Sequence, residues 1–219
     1  MTSIPLETAI GKRPLALDGL DIVREAKLVK IAPSQTGKPS IYKPLQEEPS
    51  QRILDDRPTE DPLPPASLLY HGFGRFMDYS SPHKGICVDE KRRDLEGHVN
   101  HFAKEMAGFH GSEESRRDKG ISILKKILGV EIMAASIGGV RTDGHYCGPH
   151  NAAICVVKFK NEPADIGSIA MVELAGYVAH SHKQSFDQFG FLFKDWNVPC
   201  LGLTVVGKPN IELWVFRWV

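Results

Sequence analysis

At 219 residues, with 42% hydrophobic and 25% charged side chains, the chain has apolar material for one modest globular domain and a tail. Its 27 basic and 27 acidic residues cancel, which argues against a protein that holds nucleic acid by non-specific phosphate attraction, where a basic excess is usual. No apolar run approaches the ~20 residues of a membrane helix, and Met1–Leu20 lacks the basic start and continuous apolar core of a secretory signal.

Prolines dominate the beginning. Pro33, Pro39, Pro44, Pro49, Pro58, Pro62, Pro64 and Pro65 crowd into one segment, a density that opposes regular helix or sheet and favours solvated, extended chain. Residues 1–65 therefore read as a proline-rich, mostly disordered tail or linker, with a short amphipathic helix at Leu20–Ile31 and a boundary at DPLPPAS, residues 61–67. The folded domain is expected over 66–219. Two helices come first, at about Glu96–Gly108 and Glu113–Leu128. On the second, Arg116, Lys119 and Lys126 lie along one side, opposite Ile121, Leu124 and Leu128. That side is open to two readings, a stripe for phosphate contacts or an ordinary solvated helix face.

Strands are expected next at Val130–Ile137 and Arg141–Thr142, joined through Gly138-Gly139, since paired glycines supply the positive φ of a tight hairpin. A third strand spans Ala152–Lys160, apolar, β-branched and aromatic, after the Gly148-Pro149 turn. A helix at Ser168–Lys183 and strands at Cys200–Val206 and Ile211–Trp218 complete the order, which fits a mixed sheet flanked by helices. No internal repeat is visible, and the oligomeric state is left open.

The chemistry concentrates around the third strand. Alternation puts Lys158 and Lys160 on one face, with Glu162 joining them if the strand continues, and sends Val157 and Phe159 to the core. Asp143, in Thr142-Asp143-Gly144, lies 17 residues before Lys160, and a hairpin brings the two side by side. A carboxylate and a lysine on paired strands are the minimum of a metal-dependent phosphodiesterase. The acid holds a hard cation that polarises the phosphate, and the lysine stabilises charge on the attacking water or leaving group. The same residues also suit an edge strand guarded by lysines and a plain Asp-Gly turn.

A longer pattern surrounds them. Thr142-Asp143-Gly144 is followed by Lys158-Phe159-Lys160-Asn161-Glu162, then PADIGS at 163–168 and Glu173-Leu174-Ala175-Gly176-Tyr177. NVPCLGLTVVG at 197–207 and IELWVFRWV at 211–219 close the series. Upstream stand YHGFGRFMD at 70–78 and HFAKEMAGFHGSEESRRDKGISILKKIL at 101–128. From Leu69 to Val219 the chain resembles the restriction-endonuclease-like domain of the Crinkler-type effectors of fungi and oomycetes. In that family Thr-Asp-Gly precedes a strand ending in Glu-Val-Lys-Asn-Glu, a helix with Gln-x-x-x-Tyr, and a Trp-containing strand.

The resemblance implies an α/β restriction-endonuclease-like fold of the PD-(D/E)xK type and a secreted virulence effector acting on DNA in a host nucleus, sometimes without a conventional signal. It also implies a Mg- or Mn-dependent DNase, with a kinase-like domain following in longer relatives. Carried over residue by residue, Asp143, Lys160 and Glu162 become catalytic, Asp143 and Glu162 metal ligands, and Lys158, Glu173 and Tyr177 substrate-binding. Two positions depart from the family's pattern. Lys158 stands where a metal-binding acid is wanted, and Glu173 where the helix has glutamine. Glu162, Glu173 or Glu105 are the candidate replacements for the missing acid. The alternative is a catalytically inactive descendant that binds DNA or a host protein.

Other groups read as structural. Cys87, Cys147, Cys155 and Cys200 form no Cys-x-x-Cys pair, and the last two sit in apolar strands as buried thiols. His145, Cys147 and His150 imitate half a zinc site without a second half. His180 and His182 fall near a helix end, where the dipole favours them.

Overall fold

The computed structural model describes residues 27–53, 90–148, 151–161, 169–193, 200–207 and 210–216. Glu162, His150, Cys87 and the boundary at 61–67 lie outside them.

The core is a four-stranded mixed sheet in the order β3-β4-β5-β6. Strand β3 is Gly144–Cys147, β4 Ala153–Lys160, β5 Cys200–Val206 and β6 Asn210–Phe216. β3 runs antiparallel to β4, β4 parallel to β5, and β5 antiparallel to β6. The parallel pair needs a crossover, which the long helix at Ala170–Phe193 provides. Further upstream, helix α3 spans Glu90–Ala107 and α4 Glu113–Leu128, after α1 at Pro33–Thr36 and α2 at Pro39–Glu47; the crossover helix is α5.

Alternation along β4 separates two apolar clusters. Cys155, Val157 and Phe159 face one way and meet Phe102 and Met106 of α3 and Ile121 and Leu124 of α4. Val156 faces the other and meets Leu174, Tyr177 and Val178 of α5, joined there by Ala153, which lies beyond the register shift opposite Tyr146 and Cys147. Phe159 is fully buried, and a Cβ added at Gly120 would overlap its ring, so α4 can lie this close to β4 only because position 120 has no side chain. Helix α4 begins where Ser112 caps the amide of Ser115 at 3.1 Å and ends at Gly129 in the left-handed region, φ 65°.

The first expected hairpin is much shorter than its apolar content suggests. Only β1, Ser136–Ile137, and β2, Val140–Arg141, pair, and they form a separate two-stranded sheet. Gly138 and Gly139 do make its turn, with φ 59° and 79°. Gln184 of α5 accepts the Gly138 amide at 2.6 Å, and a Cβ at Gly138 would overlap the His180 backbone.

Part of the expected disordered tail is structured. In residues 27–53, Leu28, Val29 and Leu45 are buried with Ala179 of α5, and the Ile169 amide donates to the Gly37 carbonyl at 2.8 Å. Two of the prolines permit this by position, while Pro44 lies inside α2. Pro33 and Pro39 open α1 and α2, where an amide hydrogen has no helical partner to lose. Among the described residues no helix is long and apolar enough to cross a membrane.

Candidate functional site

The register of β3 on β4 settles where Asp143 goes. Gly144 pairs with Val157, so Asp143 lies one residue beyond, abreast of Lys158. Its Oδ2 accepts from the Phe159 amide at 2.9 Å and from Lys158 Nζ at 2.8 Å. The Phe159 amide thereby finds a partner, and the carboxylate is aimed at the lysine face.

Two further acids converge on the same ammonium. Glu173, in the first turn of α5, places Oε2 3.3 Å from Lys158 Nζ and Oε1 3.1 Å from Lys160 Nζ. Glu113, in the first turn of α4, places Oε1 3.3 Å from Lys158 Nζ. Acids at helix starts suit the positive end of the dipole, so both carboxylates sit well locally as well as in the cluster. The Tyr177 ring, one turn after Glu173, has its centre 6.0 Å from Lys158 Nζ. The cluster is deep: Lys158 is 5% exposed and Glu173 2%.

The electrostatics follow from that burial. Desolvation works against the Lys158 ammonium, but the charge of Asp143, the Tyr177 and Glu173 groups and the hydrogen bond it donates to Asp143 outweigh it and raise its pKa above the usual lysine value. The Tyr177 hydroxyl is pushed up to about 12, chiefly by burial, with the neighbouring acids adding and Lys158 opposing. Lys158 is thus a permanent cation, and Tyr177 a neutral phenol, at any physiological pH.

The structure brings together Asp143, Lys158, Lys160, Glu173 and Tyr177 of the residues singled out from sequence. Glu162 falls outside the described residues. Glu105 is not in the cluster; it pairs with Lys119 at 3.6 Å and His101 at 3.8 Å on the α3–α4 surface. The acid actually contributed by the N-terminal helices is Glu113, which sequence reasoning missed. The available signal was its place directly after the Ser112 cap, where a first-turn acid is both helix-favouring and fixed in direction.

The possible phosphate stripe on α4 is corrected too. Arg116 is buried, not on the surface: it donates to Asn161 Oδ1 at 2.8 Å, to Gly108 O at 3.3 Å and to Met106 O. It closes the carbonyl end of α3, and burial lowers its pKa. Arg117 pairs with Asp118, Lys119 with Glu105 and Lys125 with Glu131. Of the half zinc site, His145 is buried, with Nδ1 hydrogen-bonded with the Thr142 hydroxyl oxygen at 2.8 Å.

A divalent cation does not fit this arrangement. Mg²⁺ and Ca²⁺ need oxygens at ~2.0–2.6 Å with no positive group among them. Here the three carboxylates surround an ammonium that is itself buried. Among the described residues no group of three His, Cys, Asp or Glu side chains is set to hold a metal ion. Comparison with protein-family models, with curated proteins and with solved structures returns no match.

Proposed function

We propose that the chain is a Crinkler-type effector module, built on a restriction-endonuclease-like frame, that binds a host protein in the nucleus and does not cleave nucleic acid. The reading rests on one contact, that between Lys158 and Glu173. These are the two positions where the chain departs in charge from the family's pattern, and they meet at 3.3 Å. An acid is missing from the strand and an acid has been gained on the helix, with the new ammonium held between the helix acid and Asp143. Two independent losses in an unused site have no reason to be complementary in charge and adjacent in space. Conversion of a cation-binding site into an internal ion pair accounts for both.

Lys158 also removes what a metal-dependent phosphodiesterase requires. Asp143 is engaged by the Phe159 amide and Lys158, and Lys160 by Glu173, so among the described residues no vacant carboxylate pair remains for Mg or Mn. A protein partner is favoured over DNA because, of the expected stripe, Arg116 is buried and Lys119 is paired with Glu105, which leaves the exposed Lys126, while Arg117 and Lys125 also have acidic partners.

The second reading, a DNase, has its own support in the juxtaposition of Asp143, Lys158 and Lys160 with a carboxylate from α5. Incubation of the full chain with supercoiled plasmid in Mg²⁺ or Mn²⁺ separates the two. The non-cleaving reading expects no nicked product above a metal-free control. Nicking that disappears in Asp143→Ala overturns it. DNA affinity that falls steeply with salt would return DNA as the partner.

A further inference from the structure

We infer that Lys158 is a tethered cation, whose ammonium fills the position among Glu113, Asp143 and Glu173 that a free divalent ion would otherwise take. The inference deepens the non-cleaving reading, but its geometry is independent of any family. The three acids come from three separate elements: the first turn of α4, the residue before β3 and the first turn of α5. Nothing local holds them together. One ammonium on β4 reaches all three, at 3.3, 2.8 and 3.3 Å, and so ties a helix from each side of the sheet to the central strand.

These separations suit an ammonium. A calcium ion would draw the same oxygens in to ~2.3–2.6 Å, a contraction of a few tenths of an ångström to about one ångström. An ion from solution would also have to displace a side chain that is 5% exposed and supplied by its own strand, where its effective concentration does not depend on the medium. The wild-type fold therefore assembles without a metal and is indifferent to chelators. Replacing Lys158 by methionine, similar in length but neutral, leaves three carboxylates facing one another, with Lys160 set against Glu173. That arrangement calls for a cation.

Two readouts on the full chain test this. The first is the thermal midpoint in EDTA and in millimolar calcium. Wild type should not move, whereas Lys158→Met should lie lower in EDTA and rise by roughly 5–10 °C when calcium is in hundredfold excess over its Kd. The second is terbium luminescence excited through tyrosine, since an ion in the Lys158 position would sit close to the Tyr177 ring. Emission should be absent in wild type, present in Lys158→Met, and lost again in Lys158→Met/Asp143→Asn. If Lys158→Met folds only with calcium present, the inference is supported directly. A folded Lys158→Met with neither response overturns it, as does failure of both Lys158→Met and Lys158→Gln to fold with calcium. Asp143-dependent terbium binding by wild type overturns it as well. Such binding without plasmid nicking would leave the non-cleaving reading standing, so the two claims fail separately.

Discussion

Glu173→Gln is isosteric and removes one charge, and the structure gives its effect opposite signs in two backgrounds. In wild type, the Glu173 oxygens lie 3.3 Å from Lys158 and 3.1 Å from Lys160, in a site where Glu173 is 2% exposed. Removing one partner of a buried ion pair costs about 3–5 kcal/mol. Lys158 keeps Asp143 and Glu113, which points to the lower end, about 3 kcal/mol, or a fall in Tm of roughly 6–12 °C for a domain of this size. In a Lys158→Glu background the same residue faces a like charge, and the cluster has four acids against Lys160 alone. Two carboxylates ~4 Å apart at an effective dielectric near 20 repel by about 4 kcal/mol, so Glu173→Gln should there stabilise by a comparable amount. Urea or thermal unfolding of wild type, both single variants and the double variant measures the pair as a double-mutant cycle. The sign reversal is the test. If Glu173→Gln costs under about 1 kcal/mol in wild type, or destabilises equally in both backgrounds, then Lys158 and Glu173 are not coupled and the complementary-exchange argument fails.

Burial pushes the His182 pKa down to about 4 from its ordinary 6.5, so between these values the unfolded chain binds the extra proton. Stability should be full above about pH 6.5 and fall toward pH 4 by roughly 1.4 kcal/mol per unit, about 3 kcal/mol in all, a slope that a His182→Phe variant that still folds should flatten. Deleting residues 1–53 strips Leu28, Val29 and Leu45 from α5 and should lower the Tm by at least several degrees; an unchanged midpoint would mean the segment does not pack as described. Gly120→Ala should destabilise by about 1–3 kcal/mol in urea unfolding despite the better helix propensity of alanine, because the new methyl overlaps the Phe159 ring.

The legible parts of the fold were those where local chemistry and tertiary packing agree. Helix α4 carries its own start and stop in Ser112 and Gly129, and β4 and β5 are apolar enough to be buried on both faces, so their limits were readable within a residue. The illegible parts were those decided by a partner. Val130–Ile137 has strand composition, but the sheet gives it only a bridge between Met133 and His145 before β1, and composition cannot say whether a neighbour is available. The prolines of residues 27–53 were read by density when their meaning is positional: Pro33 and Pro39 start helices whose apolar side is covered by α5.

The same distinction explains the site. Asp143 could be placed against the lysine strand because a hairpin and a strand period are local rules, although the register sets it beside Lys158 and leaves Lys160 to Glu173. Glu173 was recognised through the resemblance, as a departure from the helix pattern and a candidate replacement acid, and Glu113 not at all, since the two arrive on helices from opposite sides of the sheet. What sequence did expose was Lys158, an ammonium where the resemblance leads one to expect an acid. Taken alone that residue implies a damaged site, because it adds a like charge beside any incoming metal ion. The structure changes its meaning by supplying three carboxylates within 3.3 Å, which turn a misplaced charge into the group that joins both helical layers to β4. On the proposed reading the loss of a ligand and the gain of an internal cation are one substitution, which is how the cluster can be well formed around an ammonium in place of a metal ion.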